Sequence, residues 1–404
     1  MPVVSVFSAE FCHGDEVARR VAEGLGYGIL SAEVIERAAQ RSNAMPGDIV
    51  RAMLGPAFVF NKFTHRRERY VAHIRAALAE LLHDGVVYLG PAGHLIPRDL
   101  RDVLRVCILA DPAYRAAELS QRGMDAKEAG HAVREVDVRL ADWTQYLLGL
   151  PPWDRSLYDV KIPMNATSVE AAAKLVCDSA TREALAPTDE SRRAAADFRI
   201  GAEASVALVE AGYYHKVECA GGAITVVVDE YVLSLDRLEG EAKKALSGVA
   251  GVTGVKARAG AHYRPPAVFA PVDFEMPSKV LLVDDEKDFV LTLSERLEMR
   301  DVSPAIALDG EQALKILDEE EPDVIVLDLK MPGIDGIEVL RKVKAGHPAV
   351  EVIILTGHGN EKDREVCMQL GAFAYLQKPV NIETLSKAMK DAYEKIRLRG
   401  GGGS

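Results

Sequence analysis

Short apolar runs alternate along this chain with longer stretches in which apolar side chains return at every third or fourth position. The first runs are PVVSVF, VVYLG, VLRVCILA and YDVKI, and between them Val17, Val21 and Leu25, then Tyr70, Ile74, Leu78 and Leu81, keep helical spacing. Buried strands separated by helices predict a parallel sheet with helical crossovers over residues 1–180. A polar, alanine-rich bridge, Thr181 to Arg199, follows. Residues 200–258 read as a helix (Ala202–Ala211), two strand runs (YYHKVECA and AITVVVDEYVL), a helix (Arg237–Leu246) and a last strand (GVKARA), an α-β-β-α-β order. In residues 259–277, Pro265, Pro266, Pro271 and Pro277 each remove a backbone donor and fix φ, which predicts a linker. A third alternation fills residues 278–399, with the runs KVLLVDD, DVIVLDL, EVIILTG and AFAYLQKP. Residues 400–404, GGGGS, read as a flexible tail outside the fold.

Composition narrows the class. With 48% hydrophobic and 27% charged residues over 404 positions, the chain has the make-up of a globular protein of two or three domains. Its 49 basic and 61 acidic side chains give a net charge of −12, which argues against nucleic acid as the partner. The basic run HRRERY, His65 to Tyr70, is expected to be a solvated helix face. Cys12, Cys107, Cys177, Cys219 and Cys367 are scattered without metal or disulfide spacing, which points to a reducing compartment. No apolar run nears the roughly 20 residues of a membrane span, and the N-terminus lacks the pattern of a signal peptide. The expected location is the cytoplasm, with no membrane partner.

The third alternation carries chemistry. Its strand runs end in Asp284 and Asp285, in Asp328, in Thr356 and in Lys378. In an open parallel sheet, ligands bind at the carboxyl ends of the strands, so these residues are expected to meet. Three carboxylates suit a hard cation such as Mg2+. Asp328 is the expected nucleophile toward a phosphoryl donor, with Lys378 supplying fixed positive charge and Thr356 a hydroxyl. Gly357 is expected to leave room for the incoming group. The acid run DEEEPD, Asp318 to Asp323, reads as a solvated helix end.

On these motifs, residues 278–399 resemble the receiver domain of two-component response regulators over their whole length. The resemblance implies a flavodoxin-like (βα)5 fold and phosphorylation of Asp328. It implies Mg2+ held by Asp284, Asp285, Asp328 and the backbone carbonyl of Lys330, and a switch formed by Thr356 and Tyr375. It also implies a cognate sensor histidine kinase or phosphotransfer protein as partner. No DNA-binding module follows the receiver, so the output is expected upstream or in a partner.

Residues 1–180 resemble the cytidylate-kinase-like family of P-loop nucleoside monophosphate kinases. The likeness lies in SAEF, in DEVARRVAEGLGYGILSAEVIERAAQRS, in the segment from VVYLGPAGHL to VRLADW, and in SLYDVKIPMN. The chemical positions depart from the family. Cys12, His13 and Gly14 occupy the phosphate loop where further glycines are expected, and Asp15 brings a negative charge there. Pro91 stands for an arginine, as do Val138 and Leu140 in the lid, and Ser31 stands for an acidic residue. The resemblance therefore implies a kinase-like scaffold without kinase activity, with a nucleotide as a candidate ligand. The neighbouring Cys12 and His13 are read as incidental rather than as a metal or redox pair. Residues 200–258 resemble a BON-like module in element order and in GVAGVTGVKAR. The expected function is a response regulator phosphorylated on Asp328. The alternatives are a nucleoside monophosphate kinase gated by its receiver, and a plain adaptor; oligomeric state is left open.

Overall fold

The apolar runs that become the central strands, Val3–Ser8, Val103–Leu109, Val280–Val283, Val324–Leu327 and Glu351–Thr356, have almost wholly buried side chains, because helices cover both faces of their sheets. The computed structural model describes all residues except 1, 56–57, 59–60, 230–231, 233, 262, 264–276, 278, 299, 301, 358–360 and 401–404. Pro265, Pro266 and Pro271 of the expected linker, and the expected tail beyond Gly400, lie outside the described residues. The chain forms two units, Met1–Ala57 with Arg66–Pro266, and Phe58–His65 with Ala267–Ser404.

The first unit holds β1 (Val3–Ser8), β2 (Gly28–Leu30), β3 (Val86–Leu89), β4 (Val103–Leu109) and β5 (Val160–Pro163), all parallel in the order β2-β3-β1-β4-β5. Strand periodicity divides the side chains between two faces. Val4, Val6, Leu104, Val106 and Ile162 pack on the helices Gly14–Leu25 and Val169–Ala180. Phe7 and Cys107 face Leu140 of the long helix Ala126–Leu148.

The helix expected over Ala202–Ala211 begins at Asp189, inside the stretch expected to be a bridge, and runs unbroken to Glu210. Thr188 and Ser191 cap it reciprocally, each side chain accepting from the other's backbone N–H. It docks on the helix Arg66–Leu81: Arg199 Nε donates to Ala79 O at 3.2 Å, and Arg69 Nε donates to Glu210 Oε1 at 2.7 Å. The basic run expected to be solvated is therefore engaged. Tyr70 is buried, and the Arg67 guanidinium lies 3.8 Å from the centre of the Tyr146 ring.

The same helix anchors a three-stranded sheet of β6 (Lys216–Ala220), β7 (Ala223–Val228) and β8 (Gly254–Ala259), with the helix Leu235–Ala245 completing the α-β-β-α-β order. β6 is antiparallel to β7, and β8 is parallel to it. Gly221 and Gly222 make the hairpin turn at φ 58° and 76°, a conformation that glycine enters freely. The Asp197 carboxylate accepts from both of their N–H groups, at 2.8 and 2.9 Å, tying the turn to the long helix.

In the second unit, β9 (Val280–Val283), β10 (Ala305–Ala307), β11 (Val324–Leu327), β12 (Glu351–Thr356) and β13 (Ala374–Gln377) form a parallel sheet in the order β10-β9-β11-β12-β13. This is the flavodoxin-like arrangement, whose order reverses between β9 and β11 and leaves a crevice at their carboxyl ends. The helices Gly310–Glu319, Gly336–Gly346 and Glu361–Gln369 cover one face, and Lys287–Glu298 and Ile382–Gly400 the other. The acid run Asp318 to Asp323, which ends the helix Gly310–Glu319, is not simply solvated. Glu320 is buried, and the Asp323 carboxylate accepts from Lys279 N at 3.0 Å.

Candidate functional site

Register alone brings the acidic residues together. Leu327 pairs with Val283 and with Ile354, so Asp284 and Asp328 leave adjacent strands at one level. Backbone bonds extend the ladder past the strand ends: Asp328 N donates to Val283 O and Lys378 N to Thr356 O, both at 2.9 Å. The carboxylates of Asp284, Asp285 and Asp328 offer oxygen atoms within 4.8 Å of one another. Asp284 and Asp328 are buried, and Asp285 is exposed at the mouth.

Each buried carboxylate is oriented in the same way. Asp284 Oδ1 accepts from Glu286 N at 3.0 Å, and Asp328 Oδ1 from Leu329 N at 2.8 Å. Their other oxygens face Lys378 Nζ, which lies 2.6 Å from Asp284 Oδ2 and 3.9 Å from Asp328 Oδ2. Burial pushes the Asp284 carboxyl above its ordinary value, and the Lys378 ammonium opposes that push. For Lys378, burial works to lower the ammonium, but its bonds to Asp284 and Glu286 outweigh burial and hold it above its usual value. Two residues of this cluster escaped the sequence reading. Glu286 Oε1 accepts from Lys378 Nζ at 3.0 Å, and the Phe289 ring lies 4.2 Å beneath the same ammonium. The signal was the acidic residue directly after the pair Asp284–Asp285; nothing in the local pattern marked Phe289.

The loop after Asp328 is shaped by one glycine. A Cβ on Gly336 would sit 2.1 Å from Asp328 O and 2.7 Å from Leu329 Cα, so only glycine lets the next helix start so close. Lys330 and Asp285 line one cleft of about 590 Å³ beside the carboxylates. Thr356 is fully buried at the end of β12. A Cβ on Gly357 would touch the Lys378 stem at 3.8 Å, an ordinary contact, so that glycine is not demanded by sterics. The Tyr375 ring packs against the cluster containing Cys367, and its hydroxyl is buried without a hydrogen-bond partner among the described residues. Three converging carboxylates suit a hard, oxygen-seeking cation, so the residues present fit Mg2+.

The N-terminal loop has a different character. Phe11 and His13 both hold left-handed backbone, φ 62° and 63°, where phosphate loops place glycine. Gly14 is obligatory, since a Cβ there would lie 2.0 Å from Ser8 Oγ. The Cys12 thiol is buried and donates to Ala9 O, and burial pushes it up, away from the thiolate that metal or redox chemistry needs. His13 Nε2 faces Glu118 Oε2 at 3.2 Å rather than the cysteine. The adjoining cavity, about 490 Å³, sets Glu10 and Asp15 against the single guanidinium of Arg122 among its described lining residues. Leu140 is buried in the core, whereas Val138 and Arg139 are exposed. Arg115 is committed to Asp137 through two bonds of 2.8 and 2.6 Å.

Comparison with known proteins finds matches for two segments of the chain. Residues 280–390 match the response regulator receiver domain, and residues 3–166 match the cytidylate kinase-like family. Sporulation initiation phosphotransferase F of Bacillus subtilis is 36% identical over 115 residues, which make up 28% of this chain and 93% of that protein. The chain belongs to the response regulator receiver family. Transcriptional regulatory protein CpxR of Escherichia coli is 43% identical over 104 residues, 26% of this chain and 44% of that one. Transcriptional regulatory protein GlrR of Escherichia coli is 35% identical over 119 residues, and the chain spans only 27% of its length. A solved receiver domain from Clostridium thermocellum is 36% identical, with 30% of this chain covering 98% of it at a TM-score of 0.29. Among the described residues, no helix is long and apolar enough to cross a membrane.

Proposed function

We propose that this protein is a response regulator of a two-component phosphorelay that accepts a phosphoryl group on Asp328, and that its kinase-like domain does not catalyse phosphoryl transfer. The observation that carries the reading is the convergence of Asp284, Asp285 and Asp328 on one point, with Lys378 between the two buried carboxylates. Asp328 Oδ2 forms the new bond to phosphorus while the P–N bond of a phosphohistidine, or the P–O bond of an acyl phosphate, breaks; the electron pair leaves with the donor. Lys378 holds positive charge where the phosphoryl oxygens arrive, and Leu329 N keeps Oδ1 fixed so that Oδ2 faces the donor. Asp284, Asp285, Asp328 and the Lys330 carbonyl would hold Mg2+, which when bound neutralises charge on the phosphoryl group. Thr356 and Tyr375 are the switch: a phosphoryl group on Asp328 draws the Thr356 hydroxyl and repacks Tyr375 against the helix Glu361–Gln369.

The partner is a sensor histidine kinase or a phosphotransfer protein, and the site of action is the cytoplasm. The upstream domains serve as an interaction or ligand-sensing platform, because phosphoryl transfer relies on positioning and positive charge, which the loop around His13 lacks. The test adds beryllofluoride with Mg2+ to the full chain and follows hydrogen exchange. Slower exchange over β12, β13 and Glu361–Gln369, abolished by Asp328→Asn, is the expected result. No change, or an equal change in Asp328→Asn, refutes the reading. Turnover of ATP with CMP, dependent on Asp328, would instead establish the receiver-gated kinase.

A further inference from the structure

A cavity of the first unit larger than the one at the degenerate phosphate loop lies beside it, sharing Phe7. It has a volume of about 870 Å³. Its walls come from the helix Arg66–Leu81, the turn after β3, the end of the helix Ala126–Leu148, and Val209 to Val217 of the small α+β module. That volume is typical of small-molecule sites, and the wall is largely apolar and aromatic, with Phe7, Tyr146, Tyr158, Leu148 and Val209.

One guanidinium on this wall lacks a hydrogen-bonded counterpart at its buried nitrogen. Arg75 Nε is buried without a hydrogen-bond partner among the described residues, while Cys219 and Asp99 act on the guanidinium only through space. The Phe198 ring, its centre 5.7 Å from the guanidinium, lies at the outer edge of cation–π range and offers a weak attraction but no anion. Burial pulls the guanidinium below its ordinary value. The other cations of the lining are engaged. Arg98 Nη1 donates to Leu157 O at 2.8 Å, and Arg105 donates to the carbonyls of Pro97, Leu100 and Val103. Lys216 Nζ faces Glu218 at 3.3 Å. A cation removed from water is expensive unless an anion meets it.

We infer that this cavity binds a small organic anion, a single carboxylate or phosphate on an apolar or aromatic body, with the acidic group on Arg75 and the body against Phe7, Tyr146 and Tyr158. One uncommitted guanidinium among the described lining residues suits a single acidic group and not a nucleoside triphosphate, whose charge needs several donors. Because the kinase-like body and the small module each form part of the wall, the bound molecule would fix the two against each other. The inference gives a ligand class to the sensing platform proposed above. Binding is read without any phosphodonor, so its failure leaves the Asp328 assignment standing.

The test titrates the full chain with 2-naphthoate, 2-naphthyl phosphate and the neutral 2-naphthamide, by calorimetry and thermal shift. The expected result is saturable binding of one or both anions, no binding of the amide, and a loss of about ten- to a hundredfold in affinity in Arg75→Met. Arg75→Met should also melt no lower than the parent without ligand, since it removes an unpaired buried charge; a purely structural arginine would lower the melting temperature. Arg122→Gln, at the phosphate-loop cavity, separates the two sites. Binding of the amide equal to that of the acids, binding unchanged in Arg75→Met, binding lost only in Arg122→Gln, or no binding by any probe overturns the inference.

Discussion

Replacing Lys378 with methionine keeps most of the side-chain volume and deletes the charge between Asp284 and Asp328. The Lys378 side chain is only 11% exposed, and its ammonium lies 2.6 Å from Asp284 and 3.9 Å from Asp328. At an effective dielectric constant of about 20, charges 3.9 Å apart interact by roughly 4 kcal/mol. Breaking a buried pair by removing one member typically costs about 3–5 kcal/mol, because the remaining charge is stranded. In chelator-containing buffer, Lys378→Met should therefore lower the stability of the second unit by about 3–5 kcal/mol. Mg2+ should narrow the gap. A cation held by the three carboxylates would fill the place of the lost charge and, without the competing ammonium, would bind more tightly than in the parent. A ligand at about 100 times its dissociation constant adds roughly 2.7 kcal/mol to the state that binds it. Hydrogen exchange of the peptide containing Val280–Val283 reads the opening free energy of this sheet in the full chain. A variant as stable as the parent without metal, or a deficit that Mg2+ leaves unchanged, would refute the electrostatic reasoning.

Three further outcomes follow from the geometry. Gly336→Ala drives a Cβ into Asp328 O and should cost about 1–3 kcal/mol by the same exchange assay while slowing modification of Asp328, whereas Gly346→Ala, where a Cβ meets nothing within 4 Å, should change neither. Gly14→Ala forces Ser8 to move and should destabilise the first unit by a similar amount of about 1–3 kcal/mol, read as a lower melting temperature of its transition. Burial lowers His94 to about 4, so the folded chain holds it neutral while the unfolded chain protonates it near its ordinary value. Stability of the first unit should fall as pH drops below about 6.5, by about 1.4 kcal/mol per pH unit and about 3 kcal/mol in all by pH 4. His94→Gln should flatten that slope by about one proton, and equal slopes in the two proteins would remove His94 as the cause.

The receiver was legible because its chemistry sits where local pattern is strongest. VLLV, VIVL and VIIL are buried on both faces, and each ends directly at a polar residue of the site. Parallel pairing then carries Asp284, Asp328, Thr356 and Lys378 to one edge with no further information. The helix Asp189–Glu210 was harder to delimit, since Asp189–Arg199 is polar on most faces and is helical because Thr188 caps it and the helix Arg66–Leu81 receives Phe198 and Arg199. Such a partner is invisible to periodicity. The run from His65 to Tyr70 misled for the same reason, as its arginines answer Glu210 and Tyr146, far away in sequence. Arg75 gave no signal either. An arginine in an alanine-rich stretch of a basic helix looks solvated until the fold places a second module over it.

The central claim is that the phosphate chemistry of this chain resides at Asp328 and not at the loop around His13. Its most direct test incubates the full chain with acetyl phosphate and Mg2+, traps any acyl phosphate with borohydride, and maps the reduced residue by mass spectrometry. The account predicts a single trapped site, Asp328, that disappears in Asp328→Asn and when Mg2+ is chelated. A chain that remains unmodified, or one trapped at another residue, would contradict it.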